Sequence, residues 1–221
     1  MHIVNPHEDK KDPQSIHLNT VAMKDLLLIF TRNPKLGKVK TRLAATVGDQ
    51  AALNIYEFLL RHTFEITKEL NVAREVHYSE SIAENDIWDN SRFTKKVQVG
   101  ADLGKRMHHA FQSGFESGFE RVMIIGSDMY DLSQEDLEKA FDLLREYDYV
   151  LGPAVDGGYY LFGMRVFSPE VFQHKAWGSE TVLSDTLKDL EGKSVKLLEP
   201  RNDIDVFEDI KDNPAFKPFL K

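Results

Sequence analysis

Three places in the chain carry residues that could do chemistry together. The segment RVMIIGSD, residues 121–128, reads as a buried strand that turns through Gly126 and Ser127 and presents Asp128. A carboxylate at the carboxyl end of a buried strand stands where an open α/β sheet binds its ligand. Asp128 could hold a magnesium or manganese ion, because such ions take one or two carboxylates and complete their shell with phosphate and water. It could equally cap the turn or the next helix, a role Asp131 could share. The loop TRNPKLGKVKTR, residues 31–42, follows the first apolar run and places Thr31, Arg32, Lys38, Lys40 and Arg42 where doubly wound folds cradle phosphate. In an extended loop Lys38, Lys40 and Arg42 would point the same way. The spacing matches neither the P-loop nor the G-x-G-x-x-G fingerprint.

The third place is DGGYY, residues 156–160. Asp156 could bind a sugar hydroxyl, orient an acceptor or act as a base. Gly157 and Gly158 allow a tight turn beside Tyr159, and the same dipeptide is a strong hairpin signal in its own right. Asp203 and Asp205 lie two apart in RNDIDVFED. In a strand they would face one way, and Asp205 could be either a second metal ligand or a helix cap. Asp102, Gly104 and Arg106 open a helix whose N-terminus favours anions, so Arg106 either assists a nucleotide or belongs to an ordinary capped helix. Trp177, Gly178 and Thr181 could line an acceptor pocket, or Trp177 could be core. The neighbours His108 and His109 face different directions on a helix and do not make a paired metal site.

These residues need a scaffold, and the pattern supplies one. Apolar and alternating runs predict strands over 25–31, 73–79, 95–100, 121–126, 147–152, 158–165 and 195–199. Helical periodicity predicts helices over 49–70, 102–119, 133–145 and 179–190, with short ones over 82–90 and 206–212. Leu53, Tyr56, Leu60, Phe64 and Thr67 form the inner face of the first. Leu103, Met107, Phe111, Phe115 and Phe119 form a strict four-residue stripe on the second. Gly114 and Gly118 weaken that helix by about 1 kcal/mol each and point to close packing. Ser133 and Asp136 have capping-box spacing. Alternating strands and helices imply an α/β fold with a mostly parallel sheet and helices on both faces.

Composition narrows the classes. At 42% hydrophobic and 29% charged, 221 residues can build a core. A net charge of −8 disfavours a general nucleic-acid binder. With no cysteine, thiolate catalysis, disulfides and Cys-zinc sites are excluded, which fits a cytoplasmic protein. No apolar run approaches the ~20 residues of a membrane helix. Residues 1–22 are polar and read as an extension ahead of one domain over 23–221, with Met23 a candidate start of the core.

In their order, PKLGKVKTRLA, DLGKRM, IIGSD, GPAVDGGYYLFGM, the Trp177–Thr181 segment and DIDVFED resemble a GT-A-like family of candidate glycosyltransferases. That family is a former domain of unknown function associated with radical-SAM and arsenosugar clusters. It is distantly similar to molybdenum-cofactor and phospholactate guanylyltransferases. The resemblance spans about Leu26 to Asp212 and implies a GT-A fold with a nucleotide-diphospho-sugar site, a Mg or Mn cation and a small-molecule acceptor. The basic loop would hold the nucleotide, Asp128 would be the metal aspartate, and Asp156 would sit on the acceptor side. Many relatives have proline two residues after the strand-end aspartate, where this chain has Met129-Tyr130. The expected reaction is metal-assisted sugar transfer. Nucleotidyl transfer with release of pyrophosphate is the first alternative, and a catalytically idle nucleotide-sugar-binding protein the second.

Overall fold

The longest apolar runs become strands buried on both faces. The computed structural model describes residues 24–220, so the expected extension over 1–22 lies outside the described residues. β1 (Asp25–Thr31), β4 (Arg121–Ile125), β5 (Tyr149–Pro153) and β6 (Tyr159–Met164) are almost wholly buried. With β2 (Ala73–Tyr78), β3 (Thr94–Val97) and β7 (Val195–Leu197) they form a seven-stranded sheet in the order β3-β2-β1-β4-β6-β5-β7. Only β6 runs against its neighbours.

Alternation along β1 feeds two cores. Leu27 and Ile29 pack with Tyr56 and Leu60 of α2 (Asp49–Thr67) and Leu137 of α4 (Gln134–Leu143). Leu26 and Leu28 pack with Met107 and Phe111 of α3 (Leu103–Glu116) on the other face. Helices therefore cover both faces, as the α/β pattern requires. Among the described residues no helix is long and apolar enough to cross a membrane.

The sheet's direction of travel reverses at β1. The chain leaves β1 toward β2 and β3 on one side, then returns through α3 to β4 on the other. The loops after β1 and β4 thus flank a topological switch point at the carboxyl ends of the strands.

Several expectations change in detail. Residues 82–90 are bends rather than a helix, because Asp86 accepts the Trp88 N–H and Asp89 accepts the Ser91 N–H. Such local side-chain bonds compete with helical ones. The end of the basic loop is itself helical, α1 (Thr41–Val47), separated from α2 by Gly48 at φ 84°. The C-terminal chain forms 3-10 turns at Phe207–Asp209 and Pro214–Phe219 in place of the helix expected over 206–212. Ile204, Ile210 and Phe216 make a third small core with Leu43 of α1 and with Ile55 and Leu59 of α2. This packing carries Asp203 and Asp205 back to the switch point.

The α3 stripe also bends away at its start. Four residues advance a helix by about 400°, so a strict four-residue stripe rotates about 40° per step. Its first member, Leu103, is 45% exposed, while Met107 and Phe111 are buried. Gly114 lies tight on the sheet, where a Cβ would come within 2.9 Å of Leu26 Cδ2. Gly118, at φ 91°, follows the end of the helix. The Ser133 capping box forms as its spacing predicts, with reciprocal bonds to Asp136.

Candidate functional site

A buried tyrosine ties the two switch-point loops together. The Tyr56 hydroxyl accepts the Arg32 N–H at 2.8 Å and lies 3.1 Å from the Thr31 hydroxyl and 3.2 Å from that of Ser127. Burial raises the Tyr56 pKa, so the hydroxyl stays protonated. Sequence patterning places Tyr56 on an apolar stripe; the remaining signal is that a buried tyrosine hydroxyl needs partners. Asn33 does similar work toward β2: its carboxamide donates to Ser81 O at 2.7 Å and accepts the Glu80 N–H at 3.0 Å.

On this frame the loop after β1 does not run extended. Lys40 takes left-handed angles, φ 47° and ψ 46°, and precedes α1. That conformation costs an L-residue roughly 1–2 kcal/mol. It turns the side chain inward, where only 7% of it is exposed and its Nζ lies 2.8 Å from Asp128 Oδ2. Burial alone would lower the ammonium pKa, but Asp128, aided by Asp203 and Asp205, overrides this and holds it above its ordinary value. Lys38 remains exposed, and Arg42 turns to Asp205. The three cations expected to point together thus do three different things.

The acidic side is assembled from three loops. Asp128 follows β4, Asp156 lies in the β5–β6 hairpin, and Asp203 arrives on the C-terminal segment. The Ile204 N–H donates to Asp128 O at 3.3 Å. The RNDID segment is not a strand, so Asp203 and Asp205 do not share a direction. Asp203 lines the cavity beside Asp128, whereas Asp205 pairs with Arg42. Burial, then the charge of Asp128, with help from Asp156 and Asp205 and against the pull of Lys40, pushes the Asp203 carboxyl up to about 6.

That cavity, about 250 Å³, opens between the ends of β1 and β4, the first turns of α3, the hairpin and the segment before α5 (Val182–Asp189). Asp128, Asp156, Gly158, Tyr159 and Trp177 all line it. The glycines of the motifs are points of contact. A Cβ on Gly104 would come within 2.4 Å of Trp177 Nε1, so the indole lies directly on the first turn of α3. A Cβ on Gly157, at φ 90°, would come within 2.2 Å of Glu180 O, and the Leu183 N–H donates to Gly157 O at 2.9 Å. The hairpin signal is real as well: the Ala154 N–H donates to Gly158 O, and the Gly158 N–H to Asp156 Oδ1 at 2.9 Å.

Other expected site residues stand further off. Thr31 is buried, with its hydroxyl engaged by Tyr56 and Ser127. Arg32 is exposed and lines a second cavity with Arg61, Tyr78 and Trp88. Asp102 caps α3 by accepting the Lys105 N–H at 2.8 Å. Arg106 donates to Gly100 O at 3.0 Å and to Gln98 Oε1 at 3.2 Å, which shapes the turn after β3. Thr181 is exposed beside Ser179. Met129 enters the core and Tyr130 stacks edge-on against Phe216, ring centres 5.0 Å apart. Tyr130 thus ties the loop to the C-terminal segment, while Met129 ties it to the main core.

Residues 62–179 match a family described as "Uncharacterized protein conserved in bacteria (DUF2064)". The protein belongs to this family. A crystal structure from Desulfovibrio desulfuricans G20, named as a candidate nucleotide-diphospho-sugar transferase, is 34% identical with a TM-score of 0.79, and 83% of each chain is covered. Two more distant structures share the fold. A homologue of Mycobacterium tuberculosis rv0371c from Mycobacterium sp. strain JC1 is 12% identical with a TM-score of 0.52, covering 89% of this chain and 97% of its own. The 4-diphosphocytidyl-2C-methyl-D-erythritol synthase of Anaerococcus prevotii DSM 20548 is 13% identical with a TM-score of 0.51, covering 85% and 93%. No curated protein matches the sequence.

Proposed function

We propose that this DUF2064 protein transfers a sugar from a nucleotide-diphospho-sugar donor to a small acceptor, with a Mg or Mn cation. One observation carries the reading: Asp128, Asp156 and Asp203 line one cavity at the switch point between β1 and β4, and the buried Lys40 pairs with Asp128 beside it. The nucleotide would lie over the ends of β1 and β3, near the turn shaped by Arg106 and the Asp102 cap. Its diphosphate would reach toward Lys38 and Lys40, whose charges favour the departing anion where charge develops in the transition state.

The acidic residues fit a divalent cation. Among the described residues no group of three or more acidic or histidine side chains is arranged to hold a metal alone. Asp128 and Asp203 nevertheless face one cavity and repel each other, and magnesium needs only one or two carboxylates when phosphate oxygens complete its shell. Asp205, held by Arg42, is the poorer candidate. The cation, when bound, would neutralise the diphosphate as a Lewis acid. In the reaction the acceptor oxygen bonds to the anomeric carbon and that carbon's bond to the diphosphate oxygen breaks. The acceptor proton passes to Asp156, whose Oδ1 is oriented by the Gly158 N–H.

The exposed Lys38 beyond Lys40 adds a second cation to the loop, and a triphosphate could use it, so nucleotidyl transfer is the second reading. Calorimetric titration separates the two. UDP, GDP, their sugars, CTP and GTP are titrated with and without Mn²⁺ into wild type and Asp128→Ala. Metal-dependent binding of a diphosphate or its sugar, lost in the variant, is expected. A preference for triphosphates would select nucleotidyl transfer. Binding or turnover untouched by Asp128→Ala would remove the metal role.

A further inference from the structure

Charge and apolar volume are segregated in the cavity. Its walls include Phe30, Met107, Ile124, Tyr159 and Trp177, and among the described residues its only charged lining residues are Asp128, Asp156 and Asp203. Among the described residues no lysine or arginine lines it. Lys40 is buried and paired with Asp128, and Arg201, over the Tyr160 ring, is paired with Asp136. Arg32 opens on the separate cavity beside Tyr78, and Arg42 is turned to Asp205.

The balance of charge limits what can enter. Three carboxylates give −3; Lys40 and a divalent cation together give +3, so the loaded site is about neutral before the donor's diphosphate adds its own negative charge. An acceptor with a phosphate or carboxylate would give up hydration and find no side-chain cation in the lining to receive it, the metal and Lys40 being already matched by the carboxylates and the diphosphate. Low-dielectric walls strengthen the repulsion from the carboxylates. An aromatic or otherwise apolar body, by contrast, buries its surface against Tyr159 and Trp177, and a cationic group gains from both the rings and the carboxylates.

Resting on the sugar-transfer reading of this site, we infer that the acceptor is a small apolar alcohol, neutral or cationic, and that the walls around Trp177 reject its anionic analogues. Asp156 receives the hydroxyl, and Asp128 and Asp203 set the charge filter.

A matched series of phenols tests this: 2-(4-hydroxyphenyl)ethanol, neutral; tyramine, cationic; and 4-hydroxyphenylacetate, anionic. Binding is read from Trp177 fluorescence with Mn²⁺ and UDP or GDP present. The chain's other tryptophan, Trp88, is buried in the opposite core, and Trp177→Phe removes the cavity signal. The neutral and cationic probes should bind at least about tenfold more tightly than the anionic one, as expected for a unit charge held several ångströms from carboxylates. Asp156→Asn with Asp203→Asn should shrink that gap. Equal or tighter binding of the anion overturns the inference, as does an absence of quenching by all three probes. Nucleotide titration on the same protein keeps the failures apart. Nucleotide binding with the phenol order reversed refutes the acceptor class alone. Loss of all nucleotide binding refutes sugar transfer, whatever the phenols do.

Discussion

Asp203→Asn should make the protein more stable at neutral pH, and the gain should vanish in acid. The carboxyl of Asp203 is raised from 3.8 to about 6 by burial and by Asp128. A raised carboxylate pKa means that the folded state resists ionisation more than the unfolded chain does. The cost is absent below the unfolded value, grows as pH rises from about 4 to 6, and is complete above the folded value. Two units correspond to at most about 3 kcal/mol. Asp203 is only half-buried, and solvent screening reduces this to about 1–2 kcal/mol. For a domain of this size the gain is roughly 2–8 °C in melting temperature. The assay is thermal melting of wild type and variant from pH 4 to 8, read as the difference between them. Mn²⁺ with a nucleoside diphosphate should narrow the difference at pH 7 by relieving the same repulsion in wild type. A difference that stays flat with pH, or a variant less stable at pH 7, would refute the repulsion argument.

Tyr56→Phe removes the acceptor of the Arg32 N–H and the hydroxyl shared with Thr31 and Ser127, and should cost about 1–3 kcal/mol by chemical denaturation. Unchanged stability would mean that water replaces the tyrosine hydroxyl freely. Gly104→Ala puts a methyl where Trp177 Nε1 now lies, so indole emission should shift and phenol binding should weaken. Stability should also fall by about 1–3 kcal/mol, because the same methyl would come within 2.7 Å of the backbone oxygen of Phe172, which cannot swing aside as a side chain can; unchanged emission and unchanged stability would refute the close packing of the indole on α3.

The sheet and its main helices were legible because burial on two faces writes continuous apolar runs, as in β1 and β4, and one-sided burial writes the α2 stripe. Glycines were legible as punctuation but not as contacts. Gly104 and Gly157 stand at close approaches to Trp177 and Glu180, and only tertiary structure shows which element fills the space. Residues 82–90 have helical composition, yet Asp86 and Asp89 bond to backbone N–H groups two residues on and hold the bends. The paired aspartates near the C-terminus fell to the same limit. A two-residue spacing predicts a shared direction only in a strand, and the chain there follows the packing of Ile204 and Ile210 into the small third core.

The basic loop shows why spacing cannot assign roles among like charges, and Lys40→Met against Lys38→Met tests the division that the fold makes. Lys38 is exposed, so its loss should weaken diphosphate binding and leave the melting profile unchanged with pH. Lys40 faces Asp128 from within and also draws the Asp203 carboxyl downward. Its loss leaves the carboxylates to repel one another without a counter-charge. Stability at pH 7 should fall by about 2–3 kcal/mol, less than for a fully buried pair because Asp128 is partly exposed. The loss should shrink as the pH falls through about 6 and the Asp203 carboxyl protonates. Because Lys40 now lowers the Asp203 pKa, its removal should move that transition to higher pH. Both variants should bind nucleotide less well, but only Lys40→Met should couple the loss to pH-dependent melting. Two variants with the same melting profile would mean that Lys40 is one more cation on a solvated loop, and that the pair with Asp128 does not organise the site.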